Sequence, residues 1–269
     1  MKHMFNRHIN NFDHQDFNLF IYNENADIGG GRLTKADIDK ISEHPSENQI
    51  KISGLSQETF EYFVNKYGLQ FKRIFFWKNK NIKDLSPLSK LPQLEEIYFF
   101  FNQNVSKLWD MANNISLRTL CIDDFSKLHD LDNIDTAPRL VNFYRGDAIW
   151  NTAIIETLKP LEHSSIENLG LSCKKLVDDS IEPLINMKRL KNLYCQPNMF
   201  TTQQCAEFSI RRPDVKGYIS DPYIDWGDYI RVVGKHKPML KKPVDDKKLA
   251  LYRDKWNTLQ KDITEKLTT

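Results

Sequence analysis

The sequence predicts an α/β solenoid assembled from short repeats, and three observations carry the prediction. Apolar residues recur in the pattern LxxLxLxxN, which opens at Phe71, Leu94, Leu117 and Leu140, each start 23 residues after the last. Self-similarity at a fixed period of that length marks a repeat array. Asparagine holds one frame position in successive units, at Asn79 and Asn102. Finally, 269 residues exceed what one compact core usually holds, a ceiling that arrays escape because each unit buries its apolar face only on its neighbours.

Each element follows from local signals. Thr34 with Asp37 fits a capping box that starts a helix through Ile38 and Ile41. Ile50 and Ile52 mark an early strand, and Ser56 caps a helix carrying Phe60, Phe63, Val64 and Tyr67, stopped at Gly68. The first clear unit runs through Phe71, Ile74, Phe76, Asn79, Ile82, Leu85, Leu88 and Leu91. The second carries Leu94, Ile97, Phe99, Asn102, Val105 and Leu108 in the same frame. The third has Leu117, Leu120, Ile122, Leu128, Leu131 and Ile134, with Phe125 in place of asparagine.

Later units drift. Leu140 and Phe143 open one in which Arg145 takes the third apolar position and Ala148 the asparagine position. Ile166, Leu169 and Leu171 open the next, with Lys174 where asparagine is expected. Leu190, Leu193, Cys195 and Asn198 restore the pattern, and Val215 with Tyr218 begins a last, incomplete strand, for about seven or eight units. Thr201 with Gln204 starts a helix that Pro213 ends. Tyr229–Val233 reads as a strand, and Asp245 and Asp246 start a helix with Leu249, Tyr252, Trp256, Leu259 and Ile263 on one stripe. The expected divisions are a cap region over residues 1–46, a solenoid over 47–220 and a basic tail over 221–269.

These residues resemble the leucine-rich repeat family, most closely its short bacterial, internalin-like kind. The segment Ile82-Lys83-Asp84-Leu85-Ser86-Pro87-Leu88-Ser89-Lys90-Leu91 carries the resemblance most specifically, and the match weakens after residue 135 and is absent from both ends. The resemblance implies a curved solenoid with a parallel β-sheet on its concave side, a helical N-terminal cap and a helical, basic C-terminal tail. The physics agrees: LxxLxL puts alternate side chains of a short strand on one interior face. An asparagine amide can donate and accept at once, so it satisfies buried backbone where the chain leaves the strand.

Composition excludes several classes. With 40% hydrophobic residues the chain can fold, while 28% charged residues leave no apolar run of the ~20 residues that a membrane span needs. The start, Met1 to His8, has no apolar core of the signal-peptide type, so a soluble cytoplasmic protein without membrane association is expected. Cys121, Cys173, Cys195 and Cys205 form no CxxC pair and read as reduced thiols. Net charge is only +2, which gives no global field for nucleic acid. From Arg231 onward, however, eleven basic residues stand against five acidic ones.

No catalytic motif is present: there is no HExxH, GxSxG or GxxxxGK[ST]. Gly29-Gly30-Gly31 leads into an ordinary helix cap and reads as a turn rather than a phosphate loop. His3, His8 and His14 are not at metal-ligand spacing, and Asp130, Asp132 and Asp135 lack the glycine and terminal glutamate of a calcium loop. No enzyme activity, cofactor or metal is expected.

One feature points to function. Strand alternation sends Arg73, Phe75 and Trp77, then Glu96, Tyr98 and Phe100, onto the concave face, followed by Cys121 and Asp123 and, further along, Tyr144 and Tyr194. Exposed aromatics bordered by Arg73, Glu96, Asp123 and Asp124 have the make-up of a binding hot spot, with Asp123 selecting a basic group. The expected function is non-enzymatic binding of a protein or peptide there, of an inhibitor or immunity type. The alternative is nucleic-acid association through the basic tail, near Tyr252 and Trp256.

Overall fold

The 23-residue spacing becomes strand pairing in the computed structural model, which describes residues 17–23, 31–147 and 152–268. The solenoid strands are β1 (Leu19–Ile21), β2 (Gln49–Ile52), β3 (Arg73–Trp77), β4 (Glu96–Phe100), β5 (Thr119–Asp123), β6 (Asn142–Gly146), β7 (Ile154–Ile155), β8 (Asn168–Leu171), β9 (Lys175–Leu176), β10 (Asn192–Cys195) and β11 (Lys216–Gly217). Among the described residues, nine of them form one parallel sheet in the order β1-β2-β3-β4-β5-β6-β8-β10-β11, while β7 and β9 pair with each other. Ile74, Ile97, Leu120, Phe143, Leu169 and Leu193 are successive Cα partners, and all are fully buried. Their side chains meet Ile82, Leu85, Leu88, Leu91 and the corresponding residues of later units in one continuous apolar cluster. This is the leucine-rich-repeat solenoid that the resemblance implied.

A left-handed residue follows each of the early strands: Gly54, Lys78, Phe101 and Asp124 have φ of 90°, 55°, 60° and 55°. Gly54 has a further constraint, because a Cβ there would lie 2.4 Å from the Gly31 carbonyl oxygen. The asparagines then do what the motif requires. Asn79 donates to the Ile52 carbonyl at 2.9 Å and accepts from the Leu55 amide at 2.8 Å. Asn102 donates to the carbonyls of Asn79 and Ile82 and accepts from the Val105 amide.

Arg145 explains how the drifting unit survives. It pairs with Ile122 at a core position of the strand frame and is completely buried. Its guanidinium donates to the carbonyls of Phe125 at 2.7 Å and Leu128 at 3.4 Å, and also to that of Gly146. Phe125 and Leu128 are the counterparts, two units on, of Asn79 and Ile82, whose carbonyls Asn102 satisfies. An arginine has taken over the work of the missing asparagine. A second set of carbonyls, just before the strands, is met by Gln70, Gln93, Asn114, Ser165 and Arg212, none of which the repeat pattern marks.

Helix α1 (Lys35–Asp39) starts at the Thr34–Asp37 capping box, and α2 (Gln57–Tyr67) at one formed by Ser56 and Thr59. Gly68 does not end α2 in a left-handed cap as expected. Its φ is −54° and the chain runs on as a 3-10 turn over Gly68–Gln70. A Cβ there would meet Leu91 Cδ2 at 2.8 Å, so any larger residue would have to push the Leu91 side chain aside. The convex side is built from 3-10 turns such as Ser86–Lys90 and Ile134–Thr136, with a short α3 (Glu182–Asn186). Thr201 and Gln204 form the box that opens α4 (Thr202–Arg211).

Both ends hold more strand than expected. β1 precedes the predicted cap helix and adds to the sheet edge at β2. After the solenoid, an antiparallel sheet of β12 (Tyr223–Trp226), β13 (Tyr229–Val232) and β14 (Met239–Lys241) replaces the single expected strand. The final helix, α5 (Asp246–Thr268), is placed as its apolar stripe predicts. Trp256 is buried, Leu259 and Ile263 pack on the solenoid core, and Leu249 and Tyr252 cover Ile230, Val232 and Leu240 of the small sheet. His3, His8, His14, Gly29, Gly30 and Ala148 lie outside the described residues.

Candidate functional site

Parallel register sorts the concave side chains into three rows. Gln49, Arg73, Glu96, Thr119, Asn142, Asn168 and Asn192 stand where the strands begin. Lys51, Phe75, Tyr98, Cys121, Tyr144, Gly170 and Tyr194 form the middle row. Trp77, Phe100, Asp123 and Gly146 form the last. All nine residues expected in the binding face therefore share one side of one sheet.

The expected exposure needs correction. Phe75, Tyr98 and Tyr144 are only 4%, 3% and 8% exposed, and Cys121, Asp123 and Asp124 are buried as well. Phe17 is one cause. Pairing of β1 with β2 holds the chain's early segment at the sheet edge, and the Phe17 ring lies 6.0 Å from that of Phe75, centroid to centroid. Phe75 in turn meets Tyr98 edge-on at 6.3 Å, and Cys121 and Tyr144 complete the cluster. Trp77, Phe100 and Tyr194 pack on this cluster but stay only partly buried. The face is thus a buried aromatic floor bearing a few accessible rings. Asp123, 1% exposed, is no surface selector for a basic group.

The charged border is ordered by its own contacts. Arg73 Nε donates to Glu96 Oε2 at 2.8 Å, and a second guanidinium nitrogen donates to Gln49. The same guanidinium lies over the Phe17 ring, 5.3 Å from its centroid. Glu96 also accepts from the Tyr98 hydroxyl at 2.7 Å. Lys51 is the residue that the sequence reading passed over. It is buried, with its ammonium 5.1 Å from the Phe20 and Phe75 centroids and 4.5 Å from that of Trp77. The signal was available, because Lys51 sits between Ile50 and Ile52 and alternation turns it to the concave side.

The first row holds a second feature without a motif. Asn142 donates to Thr119 Oγ1, Asn168 to Asn142 Oδ1 and Asn192 to Asn168 Oδ1, at 3.0, 2.8 and 2.7 Å. This amide ladder fixes four side chains across β5, β6, β8 and β10. Chemically the face is quiet. Burial, with Glu96 and Asp123 nearby, raises the Cys121 thiol well above its ordinary range, so it stays protonated and is a poor nucleophile. Burial likewise raises Tyr144 to about 12. Among the described residues no cluster of His, Cys, Asp or Glu could hold a metal, and no helix is long and apolar enough to cross a membrane.

No protein-family model matches the chain, and no curated protein matches it in sequence. Among solved structures, it is similar to an internalin (InlF) from Listeria monocytogenes str. 4b F2365, with 18% identity and a TM-score of 0.47. The alignment covers 67% of this chain and 49% of that one, so the chain spans about half the length of the internalin.

Proposed function

We propose that the chain is a non-enzymatic binding module that takes a protein or peptide on the concave face of its solenoid. One observation carries the reading: Trp77 and Phe100, register partners in the last row, remain partly exposed above a buried floor of Phe75, Tyr98 and Tyr144. Rings held on a strand ladder are already ordered, so engaging them costs little conformational entropy. Trp, Tyr and Arg are the residues that most often anchor interfaces, and Arg73 and Tyr194 extend the contact from either side. Glu96 contributes by fixing Arg73 rather than by meeting the partner alone.

The role is of an inhibitor or immunity type, in which a preformed face covers another protein's working surface. Four free, buried cysteines support a reducing, cytoplasmic setting. A partner resting on Trp77 and Phe100 can bind with Phe17 in place, whereas one reaching Phe75 must displace it. The alternative site on the tail helix loses its aromatic support, because Trp256 is buried and Tyr252 packs against the small sheet.

Affinity capture from the source cell's lysate tests the reading. Three folded baits are compared: the native chain, a Trp77→Ala/Phe100→Ala double variant and Lys90→Ala on the exposed convex side. A protein retained by the native chain and by Lys90→Ala, but lost from the double variant, is the expected result. At about 2 kcal/mol or more per anchor, the double variant should bind at least a hundredfold more weakly. Equal retention on all three baits would overturn the proposal.

A further inference from the structure

The small antiparallel sheet has two different faces. Ile230, Val232 and Leu240 are packed against Leu249 and Tyr252 of α5. Alternation turns Tyr229, Arg231, Met239 and Lys241 to the opposite side. Register pairs Trp226 with Tyr229 and Tyr229 with Lys241 in one row. In the next it pairs Ile224, which is buried against the solenoid core, with Arg231 and Arg231 with Met239, so the open part of the face is the Trp226–Tyr229–Lys241 row with Arg231 and Met239. Trp226, Tyr229 and Met239 are 40%, 45% and 48% exposed. This is where the tail's accessible aromatics lie, not on α5.

The charge around them has one dominant sign. From Tyr223 to Lys242, five cations (Arg231, Lys235, Lys237, Lys241 and Lys242) stand against Asp225 and Asp228, although Lys235 is paired with Asp179 and Lys237 lies over the Tyr252 ring on the α5 side. The Asp225 carboxylate is held by Lys242. Arg231 and Lys241, the cations that share the face with the rings, have no ion-pair partner among the described residues.

We propose that this outer face binds single-stranded nucleic acid, with Trp226 and Tyr229 stacking bases and Arg231 and Lys241 pairing with phosphates. An open single strand supplies both a π face and a regularly spaced anion, which is what this combination of side chains recognises. A duplex keeps its bases stacked and paired, out of reach of rings on a flat sheet. A lipid surface fits less well, because Asp228 in the β12–β13 turn would be carried into the interface beside Trp226.

The test titrates the full chain into a fluorescein-labelled oligothymidylate of about 15 nucleotides and reads anisotropy at about 50 and about 200 mM NaCl. Binding at low salt that weakens several-fold at high salt is expected. Trp226→Ala combined with Tyr229→Ala should weaken it at least tenfold with unchanged thermal melting, while Trp226→Phe, which keeps a ring, retains most of it. Arg231→Gln and Lys241→Gln should each flatten the salt slope by about 0.7. Three results would overturn the proposal: no oligonucleotide binding by the native chain, binding that survives loss of both rings, or binding to phosphatidylglycerol vesicles alone. The Trp77→Ala/Phe100→Ala variant should bind the oligonucleotide normally, so failure here leaves the concave-face reading untouched.

Discussion

Replacing Arg145 by isoleucine restores the apolar residue that the repeat frame asks for, yet it should destabilise the protein. Arg145 donates to the carbonyls of Gly146 and Phe125 and, at 3.4 Å, to that of Leu128. These are backbone groups and stay behind when the guanidinium is removed. Each buried acceptor left without a donor costs about 1–3 kcal/mol, so the two close ones cost about 2–6 kcal/mol. Relief comes from burying isoleucine, about 1.5–3 kcal/mol, and from no longer desolvating a cation whose charged form burial already disfavours. Replacement of both members of a buried pair is often neutral, but here only the donor side goes. The orphaned carbonyls are expected to outweigh this relief, so Arg145→Ile should be less stable than the native chain. Urea unfolding followed by tryptophan fluorescence should show a lower midpoint for Arg145→Ile than for the native chain. An unchanged or higher midpoint would mean that the carbonyls are satisfied without Arg145 and that it does not replace the missing asparagine.

Three further outcomes follow from named contacts. Ile97→Ala, at a fully buried strand position, should cost about 2–5 kcal/mol in the same unfolding experiment. Trp256→Ala should cost about 3–5 kcal/mol and raise amide exchange through α5, since Trp256 is the residue of that helix buried in the solenoid cluster. Asp39 accepts from Lys66, Tyr62 and Tyr67, which hold its carboxyl down at about 2. Because its folded value lies below the unfolded one, its contribution is complete above about pH 4 and disappears as pH falls toward about 2. Acid titration of stability should accordingly be shallower over that window in Asp39→Asn than in the native chain.

The solenoid was legible because its information is local and repeated. Leu94, Ile97, Phe99 and Asn102 state the frame, and the three capping boxes announce their helices within four residues. Arg145 was legible as a break in the pattern but not as a substitute donor, because the carbonyls that it serves lie 17 and 20 residues earlier. The concave rows were assigned correctly, whereas their exposure was not. Alternation tells which side a residue takes, but Phe17 arrives from outside the repeat and covers Phe75 through tertiary packing alone. The small sheet did carry a signal: Trp226-Gly227-Asp228-Tyr229 places a two-residue turn, with Gly227 at φ 77°, between strand-like residues.

Side-chain footprinting of the captured complex shows where the partner sits. Hydroxyl-radical oxidation is measured at individual residues in the free chain and with the partner bound. Trp77, Phe100 and Tyr194 should lose reactivity together when the partner binds, while Leu69 and Ile115, exposed and outside the strands of the concave sheet, should not change. Protection of Leu69 or Ile115 with Trp77 and Phe100 still reactive would show that the partner is held elsewhere and that the concave aromatics serve only the fold.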